Sequence, residues 1–279
     1  MSTDPVLASA PRADCCIDGV PHTGTSKGQF MPIAEVNTYV SHPPTLASAE
    51  QHRILLYFPD VWGIDQFQNG QLLCDYFAAN GFLVTAIDYF RGVADPVTLH
   101  RKTRDDTTTE PGFDYEAWKA KHQAFAAVAV PKWIEAVKEQ FGTPTTKYAC
   151  VGYCFGAPYV MDALAEDTDY ACVGAFGHPA FLNESHFNKC SRPLLLSCAE
   201  TDHTFPVSSR IRAEELLTQR AKTLNNGELI NSPLKFHIQL FSGVAHGFSL
   251  RGNMDDPWER FTKDESANGI IRWFKLFMG

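Results

Sequence analysis

A cysteine lies between two glycines in the segment Gly152-Tyr153-Cys154-Phe155-Gly156, which follows the apolar run 148–151 and precedes a stretch that favours a helix. Glycines allow one backbone segment to approach another closely, so a residue between them can be held in a strained turn with its side chain above the end of a sheet. The pattern predicts that Cys154 is a nucleophile. A buried structural thiol is the alternative, but such a cysteine has no need of a glycine on either side.

An acid and a histidine follow, each just after an apolar run that predicts a strand. Asp202 follows the run 194–196, and His246 follows the segment 236–241. Nucleophile, acid and histidine in this chain order are typical of α/β-hydrolases, in which the histidine accepts the nucleophile's proton and the acid fixes its tautomer. Taken singly, Asp202 could be a turn residue and His246 a structural histidine. The ordered triple favours the catalytic interpretation.

Acyl transfer also needs hydrogen-bond donors for the oxyanion. In this architecture one donor is the backbone N–H after the nucleophile, here that of Phe155, and the other comes from the loop after an earlier strand. That loop is 59–63, and we expect Val61 to supply the second donor. Asp60 and Trp62 would then lie beside the substrate pocket. The N-terminus of the helix after Cys154 would favour its thiolate form.

Apolar runs alternate with helical patterns along most of the chain, which predicts an α/β fold with a mostly parallel, doubly wound central sheet and helices on both faces. We expect the first two strands to form a hairpin at a sheet edge, and Pro131 to kink or split the longest helix. The predicted strands are 36–40, 53–58, 82–87, 147–152, 170–176, 193–198 and 234–241, and the predicted helices are 69–79, 115–141, 157–165, 207–223 and 259–277.

The 279 residues, 44% of them apolar, are enough for one packed core, so we expect a single α/β-hydrolase domain over 1–279. Residues 1–35 would form an N-terminal arm. The polar segment 91–113 contains two prolines and three consecutive threonines, which predicts a long loop. Loops of this length often serve a site, and we expect this one to cover the active site.

Charge and cysteine content limit the partners. The chain carries 24 Lys and Arg against 32 Asp and Glu, a formal charge of −8, which argues against nucleic acid and anionic membrane as partners. No basic leader or long apolar run is present, so we expect a cytoplasmic protein whose eight cysteines are thiols. Cys15 and Cys16 could be a redox pair, half of a metal site, or part of a buried arm.

Several of these segments together resemble the dienelactone hydrolases of the α/β-hydrolase superfamily, and especially their fungal members. The resemblance spans nearly the whole chain, and G-x-C-x-G with a Cys-Asp-His triad is its most specific part. It implies hydrolysis of a lactone or small carboxylic ester through a thioester acyl-enzyme, without metal or cofactor. The matching segments are Cys15-Cys16, His22-Thr23-Gly24, Asp60-Val61-Trp62-Gly63, Gly152 to Gly156, Gly177-His178-Pro179, Glu200-Thr201-Asp202, His246-Gly247-Phe248 and Trp273-Phe274.

The resemblance also suggests substrate contacts. In the bacterial enzymes a glutamate beside the nucleophile interacts with the resting thiol, and Asp60 occupies that position here. Those enzymes hold a substrate carboxylate with two arginines; Arg251 could stand in for one of them, or it could be a solvated surface residue. His178 could line the pocket or be a turn residue. We therefore assign Asp60, Trp62, Tyr153, His178 and Arg251 to the substrate pocket.

A second function fits the same residues. The chain could be a non-catalytic or weakly catalytic protein that binds an acyl ligand in this pocket, with Cys154 as a thiol redox sensor. Under the first interpretation the partner is a small lactone or ester. We expect a monomer or a homodimer.

Overall fold

The structure, a computed structural model, describes residues 4–11, 22–44, 53–65, 67–92, 112–225 and 234–279. In these ranges strands and helices alternate as an α/β pattern. The strands are β1 (Val6–Ala8), β2 (Gln29–Ile33), β3 (Val36–Ser41), β4 (Arg53–Phe58), β5 (Leu83–Ile87), β6 (Lys147–Tyr153), β7 (Val173–Gly177), β8 (Leu182–Asn183), β9 (Leu194–Thr201) and β10 (Phe236–Ala245). The helices are α1 (Gln68–Ala79), α2 (Tyr115–Phe141), α3 (Ala157–Ala163), α4 (Glu184–Lys189), α5 (Val207–Asn225), α6 (Phe248–Arg251) and α7 (Pro257–Met278), and a 3-10 helix (Cys154–Gly156) precedes α3.

In the part of the chain that the structure describes, eight strands form the central sheet, in the order β10-β9-β7-β6-β4-β5-β3-β2. The six from β10 to β5 in this order are parallel, while β3 is antiparallel to both β5 and β2. The carboxyl ends of the parallel strands therefore meet at one edge of the sheet. The predicted α/β-hydrolase fold with a mostly parallel sheet is confirmed.

Helices cover both faces of this sheet. The helices fall into two groups whose members contact one another: α1, α6 and α7 form one group, and α3, α4 and α5 form the other. One helix of each group, α7 in the first and α3 in the second, contacts both β6 and β7. The strands between them are apolar on both sides, and every residue of β7 is buried. Burial on both faces explains why the central strands are continuous apolar runs rather than alternating ones.

The predicted hairpin between strands 36–40 and 53–58 is wrong. β3 pairs with β2 and β5, whereas β4 lies further inside the sheet between β5 and β6. All of β4 after its first residue is buried, as in an interior parallel strand rather than an edge. The true partner, β2, gave little signal because it carries Pro32 and is mostly exposed, which is tolerated at a sheet edge.

Pro131 does not split the long helix, since α2 runs unbroken from Tyr115 to Phe141. Val130 and Trp133 are buried on either side of the proline. Packing of both halves against the sheet therefore compensates for the hydrogen bond that proline removes.

The described part of the predicted arm contains a short strand, β1, whose partner strand is far away in the sequence. β1 pairs antiparallel with β8, and Ser9 bridges two loops by donating its N–H to Thr204 O (2.8 Å) and accepting the Phe181 N–H (3.2 Å). Cys15, Cys16 and residues 93–111 of the predicted loop lie outside the described residues. Within the described ranges, none of the helices combines the length and the apolarity needed to cross a membrane.

Candidate active site

Cys154 follows the last residue of β6 and has a φ of +47°, in the left-handed region that residues other than glycine rarely occupy. A backbone held there costs on the order of 1–3 kcal/mol. The flanking glycines permit the turn, because a Cβ on Gly152 would lie 2.5 Å from Gly156 O and one on Gly156 would lie 2.1 Å from Phe58 O. Side chains at either position would force the strand and the turn apart.

Asp202 and His246 follow the ends of adjacent parallel strands. β9 ends at Thr201 and β10 at Ala245, and these two residues are paired across the strands. His246 Nδ1 lies 2.9 Å from Asp202 Oδ1 and 3.1 Å from Oδ2. The other ring nitrogen, Nε2, is buried and has no hydrogen-bond partner among the described residues. The imidazole is thus held by its Nδ1 and can accept a proton at Nε2.

Thr204 supports the carboxylate of Asp202. Its backbone N–H donates to Asp202 Oδ1 (2.9 Å), and its hydroxyl lies 2.7 Å from both Asp202 Oδ1 and Pro179 O, so its single proton serves one acceptor at a time. Burial alone would raise the pKa of Asp202, but the charge of His246 and the hydrogen bonds from His246 and Thr204 outweigh it and lower that pKa. Asp202 is therefore ionised at neutral pH. Sequence reasoning missed Thr204, although D-x-T is a known turn pattern.

The two predicted oxyanion donors belong to neighbouring elements. β4 and β6 are adjacent, with Phe58 paired with Gly152, and the turn after β4 is closed by a hydrogen bond from Gly63 N to Asp60 O (2.9 Å). Val61 is fully buried in that turn. Phe155 lies in the first turn of the helix, where backbone N–H groups have no partner inside the helix. Both backbone segments therefore stand at the same edge of the sheet as Cys154.

Asp60 and Arg251 form a buried ion pair between Oδ2 and Nη1, and each side chain is only 1% exposed. Asp60 Oδ1 also accepts the Trp62 N–H (2.9 Å), and the Arg251 guanidinium lies 5.7 Å from the centre of the Trp62 ring. Burial raises the pKa of Asp60, and Arg251 opposes that rise. The interpretation of Arg251 as a solvated surface residue is wrong, because its charge is buried and faces a carboxylate of the protein.

His178 packs edge-to-face against the His246 ring, with 4.9 Å between ring centres. It is fully buried, its φ is +35°, and its Nδ1 lies 2.8 Å from Ser249 Oγ. Burial lowers the pKa of His178 well below the usual value, so the ring is neutral. Tyr153 is also buried, with its ring 5.7 Å from that of His178. His178 is thus both a turn residue and a neighbour of His246, and no pattern in the sequence indicated Ser249.

His203 is a second histidine beside His246, with 5.1 Å between ring centres. Asp202, His203 and His246 each present one potential ligand atom, and the three atoms lie within 4.8 Å of one another. His203 is half-buried, whereas Asp202 is buried. No pattern in the sequence indicated a role for His203.

Known proteins share both sequence and fold with this chain. The profile of the dienelactone hydrolase family matches residues 36–278. Two proteins of Gibberella moniliformis, Dienlactone hydrolase 1 and Dienlactone hydrolase 2, are 35% and 33% identical to it, over 99% of this chain and 97% and 98% of their own lengths. A dienelactone hydrolase-like promiscuous phosphotriesterase from metagenomic libraries superposes with a TM-score of 0.65 at 13% identity, over 92% of this chain and all of its own. A thermophilic esterase from Thermogutta terrifontis superposes with a TM-score of 0.56 at 14% identity, over 90% of this chain and 96% of its own.

Proposed function

This chain is a hydrolase of the dienelactone hydrolase family, and we propose that it cleaves a lactone or small carboxylic ester with Cys154 as nucleophile, through a thioester acyl-enzyme. The observation that carries the proposal is the φ of +47° at Cys154 between two glycines that cannot bear a side chain. Strain of this kind is typical of a nucleophile at a strand-to-helix turn. The pairing of His246 Nδ1 with Asp202 supports it further.

In the proposed mechanism, the Cys154 thiol gives its proton to His246 Nε2 and the thiolate attacks the carbonyl carbon. The carbonyl oxygen becomes an oxyanion that accepts hydrogen bonds from the N–H groups of Val61 and Phe155. As the C–O bond of the ester breaks, His246 returns the proton to the leaving alkoxide. A water molecule then gives a proton to His246 and attacks the thioester. As the C–S bond breaks, His246 returns that proton to the Cys154 sulfur, and the carboxylic acid is released.

Ionised Asp202 stabilises the imidazolium that forms in each proton transfer. The lowered pKa of Asp202 means that this charge is present throughout the neutral pH range. His178 adds no second positive charge, since burial keeps it neutral. The ring of His246 thus contacts an anionic acceptor at Nδ1 and packs edge-to-face against an uncharged histidine.

We propose further that the preferred substrate is neutral. Arg251, the candidate for binding a substrate carboxylate, is buried and its charge is compensated by Asp60. A substrate carboxylate at that position would have to compete with Asp60. Trp62 and Tyr153 contribute large aromatic side chains near the same end of the sheet, which suits an uncharged acyl group.

The test is a panel of initial rates with unsubstituted lactones, carboxylate-bearing lactones and short aryl esters. We expect turnover that is lost in Cys154→Ala and lowered by about 10²–10⁴-fold in His246→Ala. Cys198→Ala is the matched control, because Cys198 is buried and burial raises its pKa to about 12, which makes its thiol inert. Full activity in Cys154→Ala would refute the proposed nucleophile. Higher rates with acidic than with neutral lactones would refute the preferred substrate.

Burst kinetics with an activated ester distinguish the hydrolase from an acyl-binding or redox-sensing protein. An acyl-enzyme that forms on Cys154 and then turns over supports hydrolysis. An acyl-enzyme that forms and persists favours the binder or sensor. The single domain, the cytoplasmic location, the absence of nucleic-acid and membrane partners, and the choice between monomer and homodimer stay predictions.

A further inference from the structure

We propose that Asp202, His203 and His246 form an inhibitory site for Zn²⁺. The ion would disrupt the triad by binding His246 through Nδ1, the nitrogen that otherwise donates to Asp202. The inhibition part of this inference rests on the proposed function, whereas the binding part does not. Two imidazoles and a carboxylate are a ligand set that zinc uses in proteins. The three ligand atoms already lie within 4.8 Å of one another.

The separations are close to those of a zinc site. Ligand atoms about 2.0–2.1 Å from a tetrahedral ion are about 3.3 Å apart. Asp202 Oδ2 and His246 Nδ1 are 3.1 Å apart, a separation close to that of two ligands of one ion, and an ion that takes the place of the Nδ1 proton requires the carboxylate to turn so that both atoms face it. One nitrogen of His203 lies within 4.8 Å of a ligand atom of Asp202 and of one of His246, so it needs a shift on the order of 1.5 Å to complete the set. A half-buried side chain can make that shift by a change of rotamer.

The carboxylate can change partners without losing its other hydrogen bonds. Asp202 Oδ1 accepts the backbone N–H groups of Thr204 (2.9 Å) and Phe205 (3.3 Å), and the Thr204 hydroxyl is 2.7 Å away. Both oxygens contact His246 Nδ1, Oδ1 at 2.9 Å and Oδ2 at 3.1 Å. An ion on Oδ2 that takes the place of the His246 N–H therefore leaves the contacts of Thr204 and Phe205 with Oδ1 in place.

Zinc at Nδ1 would block the reaction through the tautomer of His246. Neutral His246 carries its proton on Nδ1, where it donates to Asp202. When the Zn–N bond forms, that proton leaves Nδ1 and a solvent proton is taken up at Nε2, so the net charge of the ring is unchanged. Nε2–H can then no longer accept the proton of the Cys154 thiol. One coordination position remains for water.

The direct test measures zinc binding without the nucleophile. Zinc is titrated into the full-length Cys154→Ala protein in competition with a chromogenic chelator, and the same is done with Cys154→Ala/His203→Gln. We expect His203→Gln to weaken zinc binding by at least about 10-fold, since even outer partners of metal ligands contribute 10–100-fold to affinity. Cys154→Ala/His237→Gln is the matched control, because His237 is exposed on β10 at the end opposite to His246.

The activity test compares wild type and His203→Gln, each normalised to its own zinc-free rate. We expect zinc to inhibit wild type reversibly, with recovery on addition of EDTA, and His203→Gln to require at least about 10-fold more zinc. Equal zinc affinity with and without His203 would overturn the proposal. So would loss of zinc binding in Cys154→Ala, which would instead place the ion on the thiolate. If wild type hydrolyses no ester, the proposed function fails while the binding result still decides whether the zinc site exists.

Discussion

The buried pair of Asp60 and Arg251 should behave as one energetic unit. Removing one partner of a buried ion pair leaves the other charge uncompensated and costs about 3–5 kcal/mol, whereas replacing both by neutral groups is often nearly neutral. Asp60→Asn keeps an oxygen that can accept the Trp62 N–H, and Arg251→Met keeps most of the side-chain volume beside Trp62. Each single variant should therefore lose about 3–5 kcal/mol of stability.

The double variant Asp60→Asn/Arg251→Met should lose no more than either single variant. Two independent sites would add to about 6–10 kcal/mol, so the coupling energy is expected to be at least about 3 kcal/mol. Urea unfolding followed by far-UV circular dichroism measures all four proteins of the cycle. Additivity within about 0.5 kcal/mol would refute the argument that the two charges need each other.

The pH dependence of one variant gives a second check on this pair. Burial raises the pKa of Asp60, and Arg251 is what opposes the rise. In Arg251→Met the folded-state pKa of Asp60 should rise further above its unfolded value, so the folded state binds a proton that the unfolded state does not. The stability lost at neutral pH should then be partly regained as the pH falls, whereas Asp60→Asn/Arg251→Met should show no such recovery. A deficit in Arg251→Met that is constant between pH 7 and pH 5 would contradict this sign.

Three further predictions concern the turn at the nucleophile, the neutral histidine and the acid. Gly156→Ala should lower stability by at least about 3 kcal/mol in thermal or urea unfolding, since its Cβ would meet the backbone oxygen of Phe58 at 2.1 Å. Gly81→Ala is the control: its Cβ would have open space around it, so only the φ of +97° is unfavourable and the cost should be about 1–2 kcal/mol. The pKa of buried His178 is lowered, so as the pH falls the unfolded state binds a proton at this histidine before the folded state does. Below about pH 6.5 the free energy of unfolding of wild type should therefore fall by up to about 1.4 kcal/mol per pH unit more than that of His178→Gln. Parallel profiles of stability against pH would exclude this. Asp202→Asn should lower kcat by about 10²–10⁴-fold with esters at pH 7, because the amide no longer fixes the tautomer or balances the imidazolium, and a change under threefold would show that Asp202 is not the acid.

The order of elements could be predicted from sequence because interior strands are recognisable as apolar runs. The interior strands β6 and β9 lie near their predicted positions, as does β10 at one edge of the sheet, and Cys154, Asp202 and His246 follow the ends of these three strands. The strand at the other edge, β2, gives only a weak signal because it carries Pro32 and is mostly exposed. β2 was missed for this reason, and β4 was paired with the wrong neighbour.

The contacts around the site could not be predicted in the same way, because they join residues far apart in the chain. Arg251 and Asp60 are 191 positions apart, and His178 and Ser249 are 71 apart. Nothing local to Arg251 distinguishes a solvated arginine from one that is buried against a carboxylate. Thr204 differs, since it lies two positions from Asp202 and its turn pattern was available in the sequence.

The pairing of β1 with β8 has a consequence for the order of events during synthesis. Residues 6–8 leave the ribosome long before their partners at Leu182–Asn183 and before the Thr204 carbonyl that is bonded to Ser9. Closing such a long loop is entropically costly and slow. Residues 6–9, which hold the loop of Asp202 in place, should therefore stay unpaired while the sheet assembles. The surroundings of Asp202 should then be among the last parts of the molecule to reach their native structure.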